Sequence, residues 1–315
     1  MLAYTLQRLL ATIPVMAVVA IVVFSLLYLA PGDPAVVLAG EQATSEEIAY
    51  IRESLGLDDP YPVRLVRWIG DVLSGDLGTS VFSNRPVTTL IAQRLEPTVA
   101  LTLAALVIAV ALAVPLGVLA AWQAGKRIDR IVMGLAVLGF SVPVFVLGYL
   151  LIMLFSVGLE WLPVQGYRPI ARGVGPFLTH LILPALSLGL VNAALIARIT
   201  RATMIDVLGQ DYIRTARAKG LSTSAVLLRH GLRNAAVPIV TIIGISFALL
   251  ISGVVVTETV FNIPGLGRLT VDAILRRDYP VIQGLILVFS GVYVLVNLLV
   301  DLSYAWLDPR VRPGS

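Results

Sequence analysis

The side chains best suited to nucleophilic, acid–base or metal chemistry are scarce in this sequence. It holds no cysteine and two histidines, His180 and His230. Thiolate nucleophiles, thiolate metal sites and disulfides are thereby excluded, and two imidazoles are too few for a histidine-rich metal cluster. Gly125-Lys126 is followed by Arg127 and lacks the upstream glycine of a phosphate-binding loop. Neither G-x-S-x-G nor H-E-x-x-H occurs. Among the carboxylates, the candidates for a coupling group are Glu160, Glu258 and Asp301, all at stretch ends, where an interface-level charge is the expected reading. Proton- or sodium-coupled carriers need an intramembrane titratable or ion-ligating group, so the chain is expected to draw its energy from outside itself. It is expected to be no enzyme and to hold no cofactor or metal.

One segment does combine residue types that suit a docking surface. Asp211-Tyr212-Ile213-Arg214-Thr215-Ala216-Arg217-Ala218-Lys219-Gly220-Leu221-Ser222 precedes Val226-Leu227-Leu228-Arg229-His230-Gly231-Leu232-Arg233-Asn234. Thr215, Ala216 and Ala218 are small enough for close helix packing. Gly220 permits a sharp turn with positive φ. Ser222–Leu228 is expected to form a short helix with an apolar face. Such a helix can seat in a groove on a partner; a basic helix lying on the membrane surface is the alternative from composition alone.

These residues need a scaffold, and the scaffold is a membrane. Hydrophobic residues make up 58% of the 315 and charged residues 13%, against about 45–50% and 25% in soluble domains. Mean hydropathy is +0.92. A span needs about 20 apolar residues, and six stretches qualify: about 9–29, 99–121, 131–157, 178–199, 235–256 and 281–306. The first is too long for a typical signal-peptide core and lacks a small-residue cleavage site, so it is read as a retained span. With six spans, 13 of the 23 basic residues fall on the side holding both termini, seven of them between Arg198 and Arg233. The opposite side carries more acids than bases. Both termini are therefore expected in the cytoplasm. The basic bias needs no polyanion, so no nucleic-acid partner is expected.

Between spans one and two, residues 31–97 are long enough to be structured. Thr44-Ser45-Glu46-Glu47 fits a capping box opening a short helix to Leu55, with Gly56 as its stop. Tyr61–Leu73 reads as a second, amphipathic helix. The expected organisation is span one over 1–30, an extracytoplasmic segment over 31–97, a membrane core over 95–305 with an inner loop at 198–234, and a tail over 306–315. Pro115, Pro143 and Pro184 fall inside spans and are kink and gate candidates; Gly139, Ser141, Gly148 and Gly189 suit close helix approach.

The inner loop resembles the cytoplasmic coupling loop of ABC-importer permeases. Aligned on Gly220, Arg214-Thr215-Ala216 stands where the general family has Glu-Ala-Ala, and Leu232 is followed by Arg233 rather than proline. Both departures resemble the dipeptide/oligopeptide permease branch, B-type subunit. Leu29-Ala30-Pro31-Gly32-Asp33-Pro34, Leu55–Pro60, Gly75–Ser80, Glu258–Arg268, Arg277–Pro280, Asn297–Asp301 and Asp308–Arg310 resemble the same branch, in order along nearly the whole chain.

The resemblance implies an all-α membrane protein of six transmembrane helices with the type I ABC importer permease fold. It implies a di-/oligopeptide importer subunit in a bacterial or archaeal cell membrane. Its implied partners are a second homologous permease, two ATPase subunits that bind ATP and Mg, and an extracytoplasmic substrate-binding protein. Nickel complexes, glutathione or sugars are alternative cargoes, and a stand-alone ion-coupled carrier is a distant alternative. The implied coupling residues are Arg214, Thr215, Ala216, Arg217, Ala218, Lys219, Gly220, Leu221, Ser222, Val226, Leu227 and His230.

Overall fold

The computed structural model describes residues 2–29, 35–36, 43–54 and 56–307. Pro31-Gly32-Asp33-Pro34, Leu55 and the tail from Asp308 lie outside the described residues. Regular structure among the described residues is helical, apart from one isolated bridge between Thr79 and Pro86. The helices are α1 (Leu2–Leu29), α2 (Ser45–Ser54), α3 (Tyr61–Leu73), α4 (Val87–Trp122), α5 (Arg127–Ser141), α6 (Val144–Leu151), α7 (Val174–Leu208), α8 (Asp211–Ala218), α9 (Ala236–Val260), α10 (Leu266–Arg276) and α11 (Tyr279–Leu307). Two π-helical turns, Ile152–Gly158 and Ala225–Leu232, and a 3-10 turn, Ile170–Arg172, complete them.

Among the described residues, five helices are long and apolar enough to cross a membrane, and a sixth crossing exists if Arg127–Ser141 and Val144–Gly158 count as one broken span. The third apolar stretch is therefore not one straight helix. Val142 is extended (φ −87°, ψ 123°) immediately before Pro143, as steric conflict with a following proline ring requires. The helices on either side meet at 103°. By contrast, α4 runs through Pro115 and α7 through Pro184 without a break in the helix.

The chain divides into two compact units: residues 96–267 with 296–307, and residues 2–95 with 268–295. In the first, α7 is central and its apolar window is the most buried of the spans. It packs against α5, α6 and α9. A Cβ at Gly117 would stand 2.7 Å from the Thr200 Cβ, and one at Gly189 would stand 2.9 Å from the Ala105 carbonyl oxygen. Glycine at these two positions brings α4 and α7 into backbone-close contact. Gly139, by comparison, faces ordinary van der Waals spacing, and Ser141 is exposed. The core of this unit gathers Leu101, Leu181, Leu183, Leu188, Leu250 and Phe261.

In the second unit, α2 opens with the capping box. The Thr44 N–H donates to Glu47 Oε2 at 2.8 Å, and the Glu47 N–H donates to Thr44 Oγ1 at 3.3 Å. Ser80 Oγ donates to Asp278 Oδ2 at 2.6 Å, a buried bond spanning 198 positions of sequence. Helix α10 adds to the expected elements: its first three residues, Leu266–Arg268, end a stretch that resembles a family loop before the last span, and no helix is expected over the rest.

Candidate coupling surface

Helix α7 has 35 residues, about 52 Å at 1.5 Å per residue, far more than a hydrocarbon core of about 30 Å. It continues nine residues past Ile199, so the first third of the expected 198–234 loop is rigidly continuous with a span. The chain then turns at Gly209-Gln210 into α8, which carries Arg214, Thr215, Ala216, Arg217 and Ala218.

Lys219 caps α8 and Gly220 follows with φ +79°. The Gly220 N–H donates to the Arg217 carbonyl at 2.9 Å and the Leu221 N–H to the Ala216 carbonyl at 3.3 Å. These are the paired bonds of a Schellman cap. Its accompanying apolar contact is present too: Leu221 joins Ala216, Ile213, Val226 and Leu208 in a small cluster. That cluster fastens α8 to the segment after Gly220. No atom lies within 4 Å of a Cβ placed on Gly220, so the turn needs glycine for its dihedral angle rather than for space.

The short helix expected over Ser222–Leu228 lies further along. Ser222 stays outside it and accepts from the Ala225 N–H at 3.4 Å. Helical structure begins at Thr223 and widens into the π-helical turn Ala225–Leu232. Val226 is buried there, Leu227 and His230 are half-buried, and Gly231 abuts α7, where a Cβ would stand 2.8 Å from Met204 Cε. The outward face carries Tyr212, Arg214, Arg217, Lys219, Leu228 and Arg229, all exposed. Leu228 is 59% exposed beside the half-buried Leu227 and the buried Val226. The Arg214–Asp211 pair at 3.2 Å is solvent-exposed on both sides and contributes little stability. The face is thus basic with an apolar centre.

Two polar sites in this unit are not apparent from the sequence. Asp129, by sequence a loop charge, is 4% exposed. Arg201 grips both its carboxylate oxygens through Nε and an NH2 group, the second at 2.7 Å. Asp129 also accepts from the Gly125 N–H at 2.8 Å. This fork ties the turn before α5 to the extension of α7 that carries the loop. An acid in the first turn of α5 is the available signal; its partner, 72 positions away, leaves none.

Glu258 corrects the expectation of an interface-level charge. It is fully buried. It accepts from Thr98 Oγ1 at 2.5 Å, and that hydroxyl accepts from the Leu266 N–H at 2.7 Å. Gly265 and Gly267 leave no room for a Cβ against the Glu258 carboxylate. The Glu258–Gly267 stretch therefore folds around its own acid. No group of three or more His, Asp or Glu able to hold a metal occurs among the described residues.

Sequence comparison identifies what this α7-centred bundle belongs to. Residues 113–313 match the family described as binding-protein-dependent transport system inner membrane component. Residues 1–102 match the N-terminal domain of such membrane components. The chain belongs to this family and is a permease subunit of a multi-pass membrane importer.

A probable peptide ABC transporter permease of Sinorhizobium fredii is 56% identical over 98% of this chain and 99% of its own length. A glutathione transport system permease of Salmonella typhimurium is 48% identical over 99% of both. The inward-facing MetNI methionine ABC transporter resembles 70% of this chain and 96% of its own, at TM-score 0.59 and 18% identity. That likeness supports the type I importer permease fold.

Proposed function

We propose that this permease imports peptides or peptide-like solutes and couples to partner ATPase subunits through the surface built on Asp211–Leu232. The carrying observation is mechanical. The loop is a cluster-locked, Schellman-capped unit continuous with α7, the most buried span, so a push on its outward face is transmitted to the bundle core rather than absorbed by a flexible connector. Rigid-body transmission of this kind turns a local event into a global one. ATP and Mg would be held by the partner subunits, and their hydrolysis would swing the spans of this chain and of a second permease between inward and outward openings. A binding protein would deliver substrate on the outer side.

The basic residues of the Asp211–Arg233 segment also set the orientation of this reading, with both termini in the cytoplasm. Arg214, Thr215, Ala216, Arg217, Ala218, Lys219, Gly220, Leu221 and Ser222 shape the docking unit, while Val226, Leu227 and His230 seat it. Of the three prolines, Pro143 has the geometry of a gate element, because it alone stands at a sharp break.

ATP-driven uptake by the full complex in proteoliposomes tests the coupling role. Gly220→Val forces a β-branched residue to φ +79°, so uptake is expected to collapse while the complex still assembles; wild-type uptake overturns the proposal. Identification by mass spectrometry of the ligand carried by the copurifying binding protein tests the cargo. A peptide or glutathione supports the proposal, and a sugar or nickel complex overturns it.

A further inference from the structure

Helix α3 is apolar over most of its circumference. Tyr61, Leu65, Trp68, Ile69 and Val72 turn toward the protein and are half-buried, and Arg64 is buried among them. A second apolar stripe is largely uncovered among the described residues: Val63, Val66 and Leu73 are 48%, 71% and 82% exposed, and Gly70 between them faces open space. These positions recur at i, i+3, i+7 and i+10, one face of a helix. The exposed polar residues Arg67 and Asp71 occupy a separate arc, next to the buried Arg64. They border a cavity of about 670 Å³ that is also lined by Asp58, Asp59 and Asp76. The helix therefore has a wet edge and, turned away from it, a bare apolar stripe.

Its position follows from α1. The Phe24 ring meets the Tyr61 and Trp68 rings at centroid distances of 5.4 Å each, and the Arg64 guanidinium lies 5.9 Å from its centroid. Ser25 Oγ and the Tyr61 hydroxyl are 2.8 Å apart. Two turns of α3 converge on one residue of α1, so α3 crosses α1 rather than running along it. Phe24 and Ser25 lie four to five residues from the end of α1, roughly 6–8 Å along its axis. The neighbouring Val23 carbonyl accepts from Gln283 Nε2 at 3.3 Å, and Gln283 is only the fifth residue of α11. Two membrane-length helices thus place this crossing close to their ends.

We infer that α3 lies in the membrane interface, with Val63, Val66 and Leu73 inserted among the lipids and the Arg67–Asp71 edge toward water. A helix lying in the interface plane buries its apolar face about 5–10 Å into the headgroup and acyl boundary, which fits a crossing at Phe24, two residues from the end of the apolar span Gln7–Leu26. An apolar stripe on a crosswise helix at this level meets lipid. α3 is then a float that fixes the height and rotation of α1 through Phe24.

The absence of native cysteine makes the test direct. Val66→Cys, Leu73→Cys and Asp71→Cys, each carrying a nitroxide, are placed in the full chain, assembled in proteoliposomes with partner subunits whose cysteines have been replaced. Collision rates are read with oxygen, which partitions into lipid, and with a water-soluble nickel chelate. At positions 66 and 73 the oxygen rate is expected to exceed the nickel rate, and at 71 the order reverses. Nickel-dominated collisions at all three positions place α3 in water and overturn the inference. Shielding of 66 and 73 from both reagents places a protein on the stripe and overturns it as well. All three side chains are exposed, so the labels require no repacking, and unchanged uptake by each labelled complex verifies the fold.

Discussion

Asp211–Leu232 and Glu258–Gly267 belong to the same compact unit and solve opposite problems. The first keeps its charges outside: four bases and an exposed leucine face outward, and a handful of apolar side chains hold the backbone beneath them. The second keeps its charge inside, around Glu258, with Thr98, the Leu266 N–H and two glycines closing on the carboxylate. A surface left basic and apolar at once fits the coupling role proposed for it. A buried acid with its hydrogen bonds already made by its own chain is complete, and its work is to hold a loop in one shape. Exposure, more than residue type, separates the proposed docking surface from a structural clamp.

Substitutions sharpen this contrast, beginning with the clamp. Thr98→Val removes both hydrogen bonds of the hydroxyl, at about 1–3 kcal/mol each, and Gly265→Ala forces a methyl group onto the Glu258 carboxylate. Each is expected to lower the thermal midpoint of the detergent-solubilised complex markedly, whereas Thr98→Ser stays near wild type. A Thr98→Val protein as stable as wild type would remove the clamp from the comparison. Next is the brace beneath the docking unit. Asp129→Ala leaves Arg201 without its fork and is expected to cost about 1–3 kcal/mol, below the range for fully buried pairs because Arg201 is 27% exposed. The same unfolding measurement checks it, and hydrogen exchange should quicken at the turn around Gly125.

At the docking unit the effects on stability shrink while those on transport grow. A β-branched residue at Gly220 costs about 1–2 kcal/mol of backbone strain, and Gly220→Asn, which tolerates the left-handed region, should recover part of the uptake that Gly220→Val loses. Leu228→Asp changes an exposed site, so stability should stay within about 0.5 kcal/mol while ATP-driven uptake falls. An equal loss of stability and uptake would erase the distinction between the two regions.

The smallest effect lies at α2. The Thr44 N–H, and then its hydroxyl, hold the Glu47 carboxyl below the usual carboxylate range. A depressed folded value means that the cap's contribution is present above the unfolded value of about 4.3 and is lost as pH falls through the lower, folded one. Amide exchange across Ser45–Ser54, corrected for intrinsic rates, should therefore show fraying on acidification below about pH 4. Glu47→Gln keeps a capping-box acceptor but should abolish this pH dependence.

Much of the architecture is legible in the amino-acid order. The apolar stretches, the Thr44–Glu47 cap and the bounds of Tyr61–Leu73 follow from local periodicity and capping chemistry, which act within a few residues. The turn at Gly220 follows because only glycine adopts that dihedral angle at no cost. The break at Val142-Pro143 is half visible: proline signals a kink, but 103° depends on what the flanking helices pack against. The start of helix α10 is hidden behind its resemblance to a family loop, because a motif match carries no information about helical period.

By itself, the sequence determined that this chain carries repeated membrane-length apolar stretches, lacks a phosphate-binding-loop motif, and concentrates basic residues in one loop. These properties are set by composition and short-range pattern, which folding does not alter. Tertiary structure alone decided which charges are tools and which are clamps. Asp129 meets Arg201 across 72 positions and Thr98 meets Glu258 across 160. Pairings at such separations depend on how whole helices stack, and no local pattern in the chain encodes them.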